Sequence, residues 1–109
     1  MEIKEQNNFY IITPLSPKLD KRESFRLEEE INNNSNKQVG LDLSYVQDCT
    51  IEFIDMLVNI KNLSIFNIHS DIFSLFLSMN LDKKLNLFVS EIDFTEKKHK
   101  LLNRKFRLV

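Results

Sequence analysis

The chain has 109 residues, of which 42% are hydrophobic and 28% charged, a mixture that predicts one globular domain rather than a disordered chain. Its 15 basic and 16 acidic side chains leave a net charge of −1, which argues against a dedicated nucleic-acid-binding protein. One cysteine cannot form an internal disulfide, so a secreted disulfide scaffold is not expected.

The N-terminal part predicts a strand followed by a helix. Residues 9–12 are aromatic and β-branched, as in a strand, and the two prolines of 13–20 restrict the next segment to an edge or bulged position. The pattern then changes to a helix over 21–32, whose buried face is predicted to hold Ser24, Leu27 and Ile31.

The middle of the chain predicts two strands around a second helix. An asparagine-rich loop at 32–36 precedes the best candidate for a central strand, 39–43, in which apolar residues alternate. After a connection over 44–49, a helix is predicted over 51–61 and a strand over 63–68. The predicted apolar stripe of that helix comprises Ile54, Leu57, Val58 and Lys61.

A third helix has signals at both ends. Ser70 is its predicted N-cap and Asp71 meets the positive end of its dipole, while Asn80 fits a left-handed C-cap position. Its predicted apolar positions are Ile72, Leu75, Phe76 and Met79. Residues 85–89 are predicted to form a last short strand. This alternation predicts a single α/β domain with a mixed β-sheet of four to five strands and three to four helices.

The C-terminal stretch differs from the rest because its residues 95–109 include six basic side chains and one acid, with apolar residues between them. We therefore divide the chain into a domain over 1–95 and a basic C-terminal helix or tail over 96–109. The tail is either a closing helix with a solvated basic face or a docking surface for an acidic partner or an anionic membrane. Without a signal-peptide pattern or a run of roughly 18 to 20 apolar residues, a cytoplasmic protein with no membrane span is expected.

No catalytic, metal or cofactor site is evident in the sequence. The only glycine, Gly40, rules out glycine-rich phosphate-binding loops, and His69 and His99 stand too far apart to suggest a metal site. Cys49 is expected to be a free thiol, and no acid forms a recognisable catalytic motif with a nucleophile or a histidine. The aromatic core candidates are Phe53, Phe66, Phe73, Phe76 and Phe88. We therefore expect a protein that is not an enzyme and needs no cofactor.

Four stretches carry a family resemblance. Residues 15–20 read Leu-Ser-Pro-Lys-Leu-Asp, residues 41–46 read Leu-Asp-Leu-Ser-Tyr-Val, and residues 75–81 read Leu-Phe-Leu-Ser-Met-Asn-Leu. Ile54 and Leu57 stand where the family's second helix has its leucines. In order and spacing, these stretches resemble the STAS domain of bacterial anti-sigma-factor antagonists, with a proline where the first family motif has glycine. The resemblance implies a small domain that binds a protein partner.

The chain departs from this family at the phosphorylation site. Members that are switched by phosphorylation carry Asp-Ser-Ser-Gly-Leu before the second helix, and the first serine is the phosphoacceptor. Counted without gaps from Val46, that position is Ile51, which has no hydroxyl group. A gapped alignment would place 48–50 there, but it disrupts the apolar register of the helix. Phosphorylation at the family position is therefore not expected, and Thr50 is the alternative acceptor.

The resemblance also implies a partner-binding surface at this junction. Its residues are Asp20, Ser44, Asp48, Thr50, Ile51, Glu52, Ile54 and Asp55. Some have a simpler local interpretation: Asp20 and Thr50 as helix caps, and Ser44 in a local turn hydrogen bond. Glu52 either stabilises the first turn of the helix or mimics the phosphorylated state with a fixed negative charge.

Taken together, these features predict a non-enzymatic protein–protein interaction module. By resemblance, its partner is a serine-kinase anti-sigma factor or a related regulator in bacterial signalling and transcription regulation by partner switching. The alternative is an accessory subunit that docks on the ATPase of a membrane transporter, with the basic tail assisting attachment. A homodimer is left open, and nucleic acid is not expected as a partner.

Overall fold

The structure is a computed structural model that describes residues 1–96 of the chain. Its strands are β1 (Glu2–Gln6), β2 (Phe9–Thr13), β3 (Lys18–Leu19), β4 (Gln38–Asp42), β5 (Asp48–Cys49), β6 (Leu63–Phe66) and β7 (Asn86–Leu87). Its helices are α1 (Lys21–Asn32), α2 (Ile51–Asn59), α3 (Ser70–Ser78) and α4 (Glu91–Glu96), with a 3-10 turn at Leu81–Lys83.

Five of the strands form one mixed sheet in the order β1-β2-β4-β6-β7. β1 runs antiparallel to β2, and the other neighbours are parallel, connected through α1, α2 and α3. β3 and β5 form a separate parallel pair. A mixed sheet of five strands with four helices in residues 1–96 confirms the predicted fold class.

Helices α1, α2 and α3 cover one face of the sheet. Inward-facing strand residues such as Leu41 and Ile65 are fully buried beneath them, because alternate side chains of a strand point to the same face. The structure confirms the predicted bounds of α1. It also confirms its predicted buried residues, which are Ser24, Leu27 and Ile31.

Helix α4 covers the opposite face with one aromatic side chain. The ring of Phe94 stacks on Phe66 with centroids 5.4 Å apart and meets Phe9 edge-on at 5.3 Å. Gly40 of β4 lies directly under this ring, since a Cβ there would be 2.6 Å from Cε2 of Phe94 and 2.9 Å from Cε1 of Phe66. The chain's only glycine therefore supplies space for the helix rather than an unusual backbone conformation.

The buried faces of α2 and α3 differ from the prediction. Val58 is 42% exposed and Lys61 lies beyond the end of α2. Leu75 of α3 is exposed, as is Met79, which follows the last residue of that helix. Four of the predicted positions are confirmed as buried, Ile54 and Leu57 in α2 and Ile72 and Phe76 in α3. The residues buried in place of the others are Phe53 and Met56 in α2 and Phe73 in α3. Burying a phenylalanine removes more apolar surface from water than burying the residue it displaces, so the aromatic side chains set the rotation of both helices.

Several element ends also differ from the sequence patterns. Asn67 has a left-handed φ of 56°, and β6 ends just before it rather than at residue 68. The predicted N-cap Ser70 is instead the first residue of α3, after His69. Asn80, with φ of 59°, confirms the left-handed position that follows α3.

Four elements have no counterpart in the predictions, namely β1, β5, the 3-10 turn and α4. The predicted basic tail lies outside the described residues, apart from Glu96 at the end of α4. Within residues 1–96, every helix is too short or too polar to cross a lipid bilayer.

Candidate functional site

The small β3–β5 pair joins two distant segments of the chain. The carbonyl oxygen of Pro17 accepts hydrogen bonds from the backbone amides of Gln47 at 2.7 Å and Asp48 at 3.1 Å. The amide of Thr50 then donates to the carbonyl oxygen of Leu19 at 3.0 Å. Because α1 follows β3 and α2 follows β5 almost directly, this pairing brings the N-termini of the two helices together.

The two helices begin with different capping arrangements. In α1, the carboxylate of Asp20 accepts a hydrogen bond from the amide of Glu23 at 2.9 Å, so its helix-capping interpretation is confirmed. In α2, Thr50 occupies the predicted N-cap position, but its hydroxyl donates to the carbonyl oxygen of Leu19 at 3.2 Å. Thr50 therefore leaves the first-turn amides of α2 without a side-chain cap.

The predicted site residues of α2 divide into exposed and buried ones. Ile51 is 55% exposed, and the carboxylates of Glu52 and Asp55 are also on the surface. Ile54, in contrast, is only 3% exposed because it packs into the main core. Its inclusion in a partner-binding surface is wrong, since a side chain buried beneath α2 cannot contact another molecule.

Ser44 lies in a different environment from the helix N-termini. Its backbone amide donates to Oδ1 of Asp42 at 3.0 Å, and its carbonyl oxygen lies 3.1 Å from Nε2 of His69. Ser44 lines a groove with Thr13 and Tyr45, at the end of the sheet near β1. The structure thus groups Asp20, Asp48, Thr50, Ile51, Glu52 and Asp55 around the two helix starts and sets Ser44 apart.

An open groove between α1 and α2, with a volume of about 810 Å³, lies beside these helix starts. We call it the α1–α2 groove, and its lining residues are Asp20, Lys21, Arg22, Phe25, Arg26, Glu29, Thr50 and Glu52. Phe25 is 63% exposed there, a contribution that the sequence reasoning missed. The signal was present, because Phe25 is an apolar residue outside the buried stripe of an amphipathic helix.

Charges and the lone thiol complete the description of this surface. Lys18 and Asp48 form an exposed ion pair across the β3–β5 strands, with Nζ 3.9 Å from the carboxylate. Burial, followed by the nearby charge of Asp48, raises the pKa of Cys49 above its ordinary value of 9.0. Cys49 is thus a half-buried free thiol whose surroundings disfavour the reactive thiolate.

Comparisons with known proteins bear on the fold. Neither a protein-family model nor a curated protein matches the chain. Among solved structures, it is similar to the crystal structure of a Thermotoga maritima protein proposed to be an anti-sigma factor antagonist. The two chains are 18% identical and superpose with a TM-score of 0.75, over 88% of this chain and 92% of that chain. This similarity and the described topology show that the chain has a STAS-like α/β fold.

Proposed function

We propose that the protein is a non-enzymatic interaction module in the cytoplasm, which binds a regulatory protein through the surface at the starts of α1 and α2. The fold similarity to a proposed anti-sigma factor antagonist supports a serine-kinase anti-sigma factor or a related regulator as the partner. On this proposal, phosphorylation at the family position does not control binding.

The observation that carries this proposal is the exposed side chain of Ile51 at the first position of α2. In the resembling family, a serine at this position gains a phosphate, which adds close to two negative charges to the docking surface. An exposed isoleucine offers the partner a permanent apolar contact instead. The hydroxyl of Thr50 is half-buried and donates to the carbonyl oxygen of Leu19, so phosphorylation there would first have to break this bond.

A binding experiment with paired variants tests the surface. The tagged full-length chain captures its partner from the native cell, and the purified pair is then measured by calorimetry. Ile51→Asp should weaken binding by at least roughly tenfold, because it desolvates a charge at an apolar contact. Val58→Asp introduces the same charge at the other end of α2 and should leave binding unchanged. Equal affinities of both variants and the natural chain would refute the proposed surface.

A phosphorylation experiment tests the control of binding. The natural chain is incubated with ATP and the captured kinase and measured by intact mass, and no phosphate should appear. Ile51→Ser restores the hydroxyl at the family position and should gain one phosphate if the kinase recognises this surface. A stoichiometric phosphate on Thr50 of the natural chain would overturn the unswitched interpretation.

The same capture experiment distinguishes the proposed function from the alternative one. Recovery of a kinase-type anti-sigma factor supports the proposal. Recovery of the ATPase of a membrane transporter would replace it with the role of an accessory subunit.

A further inference from the structure

We propose that the α1–α2 groove also binds a second copy of this chain, forming a homodimer about a two-fold axis that runs along the groove. Self-association requires no other protein and therefore stands apart from the proposed function. Only its consequence for the partner, discussed below, depends on that function.

The first supporting observation is a separation of charge across the groove. Its α1 wall carries three cations, Lys21, Arg22 and Arg26, and two acids: Asp20, whose carboxylate caps the helix, and Glu29 further along. The sequence of α2 contains no cation and two exposed acids, Glu52 in the groove and Asp55 one turn further along. One wall is therefore mainly positive near the small β3–β5 sheet, and the other is negative.

The second observation is that Arg22 and Glu52 line the same groove without forming an ion pair with each other. Within residues 1–96, none of the ion pairs involves Arg22, Glu52 or Asp55, although Arg22 and Glu52 line the same groove. Arg26 makes one contact, with Glu23 of its own helix at 3.9 Å. Arg22 and Glu52 of the groove, and Asp55 beyond it, therefore remain available to another molecule.

The symmetry of a dimer then decides how two copies can meet. A two-fold axis across the groove would place each positive wall against the positive wall of the other copy, which is repulsive. An axis along the groove instead places α1 of one copy against α2 of the other, so that opposite charges meet twice. Arg22 and Glu52 are each the second residue of their helices, which start side by side, so they should pair across this interface.

An apolar contact supports the same arrangement. Phe25 projects from α1 into the groove with 63% of its surface exposed, and Ile51 is exposed at the start of α2. A dimer about the groove axis brings Phe25 of each copy towards the α2 start of the other. The interface would thus combine a central aromatic contact with a charged rim, as protein interfaces commonly do.

If the proposed function holds, self-association has a regulatory consequence. The dimer would cover the surface around Glu52 and Ile51 that the partner uses. Free chain would then exist as a dimer, and the partner would have to compete with the second copy. Self-association is measured without any partner, so a failure of one proposal is distinguishable from a failure of the other.

Charge-reversed variants provide the test, by analytical ultracentrifugation of the full chain over a concentration series at low salt. Arg22→Glu alone and Glu52→Arg alone should each weaken self-association by roughly tenfold or more, because each places like charges together at both symmetric contacts. An equimolar mixture of the two variants should associate again as heterodimers, because opposite charges then meet at both contacts. High salt should weaken the natural dimer.

Two controls keep the result interpretable. Lys83→Glu makes the same change in net charge as Arg22→Glu, at an exposed position of the 3-10 turn, and should dimerise like the natural chain. Phe25→Ser removes the apolar contact without changing charge and should also weaken association. A natural chain that stays monomeric at every concentration would overturn the proposal. So would a dimer that both charge reversals leave intact, or a variant mixture that associates no better than its components.

Discussion

Three helices cover one face of the five-stranded sheet, whereas α4 covers the other with a single phenylalanine ring. On the first face, buried side chains from three helices and from strands β2, β3, β4, β6 and β7 form one large cluster. On the second face, the buried cluster consists of Ile11, Phe66, Phe88 and Phe94. The candidate binding surface on α1 and α2 is therefore supported by many contacts, whereas the attachment of α4 depends mainly on one residue.

The largest effect is expected from Phe94→Ala, which removes the ring at the centre of the second face. Loss of its contacts with three aromatic side chains should lower the free energy of unfolding by about 3–5 kcal/mol, measured by urea denaturation. Ile92→Ala, an exposed position on the same helix, should change it by less than about 0.5 kcal/mol. Similar losses for both variants would mean that α4 is held by something other than this ring.

Gly40→Ala tests the same contact by changing the residue of the sheet that lies under Phe94. The added methyl group would stand 2.6 Å from the ring of Phe94, and this overpacking should cost about 1–3 kcal/mol in the same measurement. Combining it with Phe94→Leu should cost less than the sum of the two single changes, because the smaller side chain vacates the space. Strict additivity would contradict the contact.

Asp20→Ala tests the first face of the sheet, at the start of α1. It removes the acceptor for the amide of Glu23 and should cost about 1 kcal/mol, with the loss of helix measured by circular dichroism and denaturation. Asp20→Asn retains a capping oxygen, so it should lower the free energy of unfolding by only a few tenths of that amount. The broad core should keep α1 packed in both variants.

Lys4→Gln is expected to have the smallest effect. It breaks the ion pair between Lys4 of β1 and Glu91 of α4, whose side chains are 53% and 32% exposed. Exposed pairs contribute about 0.2–1 kcal/mol, and the difference should shrink further as salt is added during denaturation. A loss as large as that of Phe94→Ala would show that charge, rather than aromatic packing, holds α4 in place.

The sequence was most informative where local signals act within one element. The bounds of α1 followed from its apolar period, and an asparagine after α3 indicated the left-handed residue there. β1 was not predicted because all of its residues are exposed, so its sequence has no alternation of apolar and polar side chains. α4 contributes one buried residue, Phe94, which is too little to define a period.

The candidate site was only partly accessible to the same reasoning. Spacing identified the start of α2, but the pairing of β3 with β5 depends on residues about thirty positions apart and has no local signal. The burial of Ile54 agrees with the apolar stripe predicted for α2, so it was the family resemblance, and not the helical period, that placed Ile54 on the partner-binding surface. Phe25 was overlooked because its contribution to the surface depends on the position of α2 beside α1, and the sequence of α1 does not indicate that position.

The contact between Gly40 and Phe94 has a consequence for the evolution of this chain. A homologue that carries alanine or a larger residue at position 40 should have a smaller side chain at position 94, since both cannot grow together. An alignment of relatives should therefore reveal correlated substitutions at these two sites, more than fifty residues apart, even where the rest of the sequence has diverged beyond recognition.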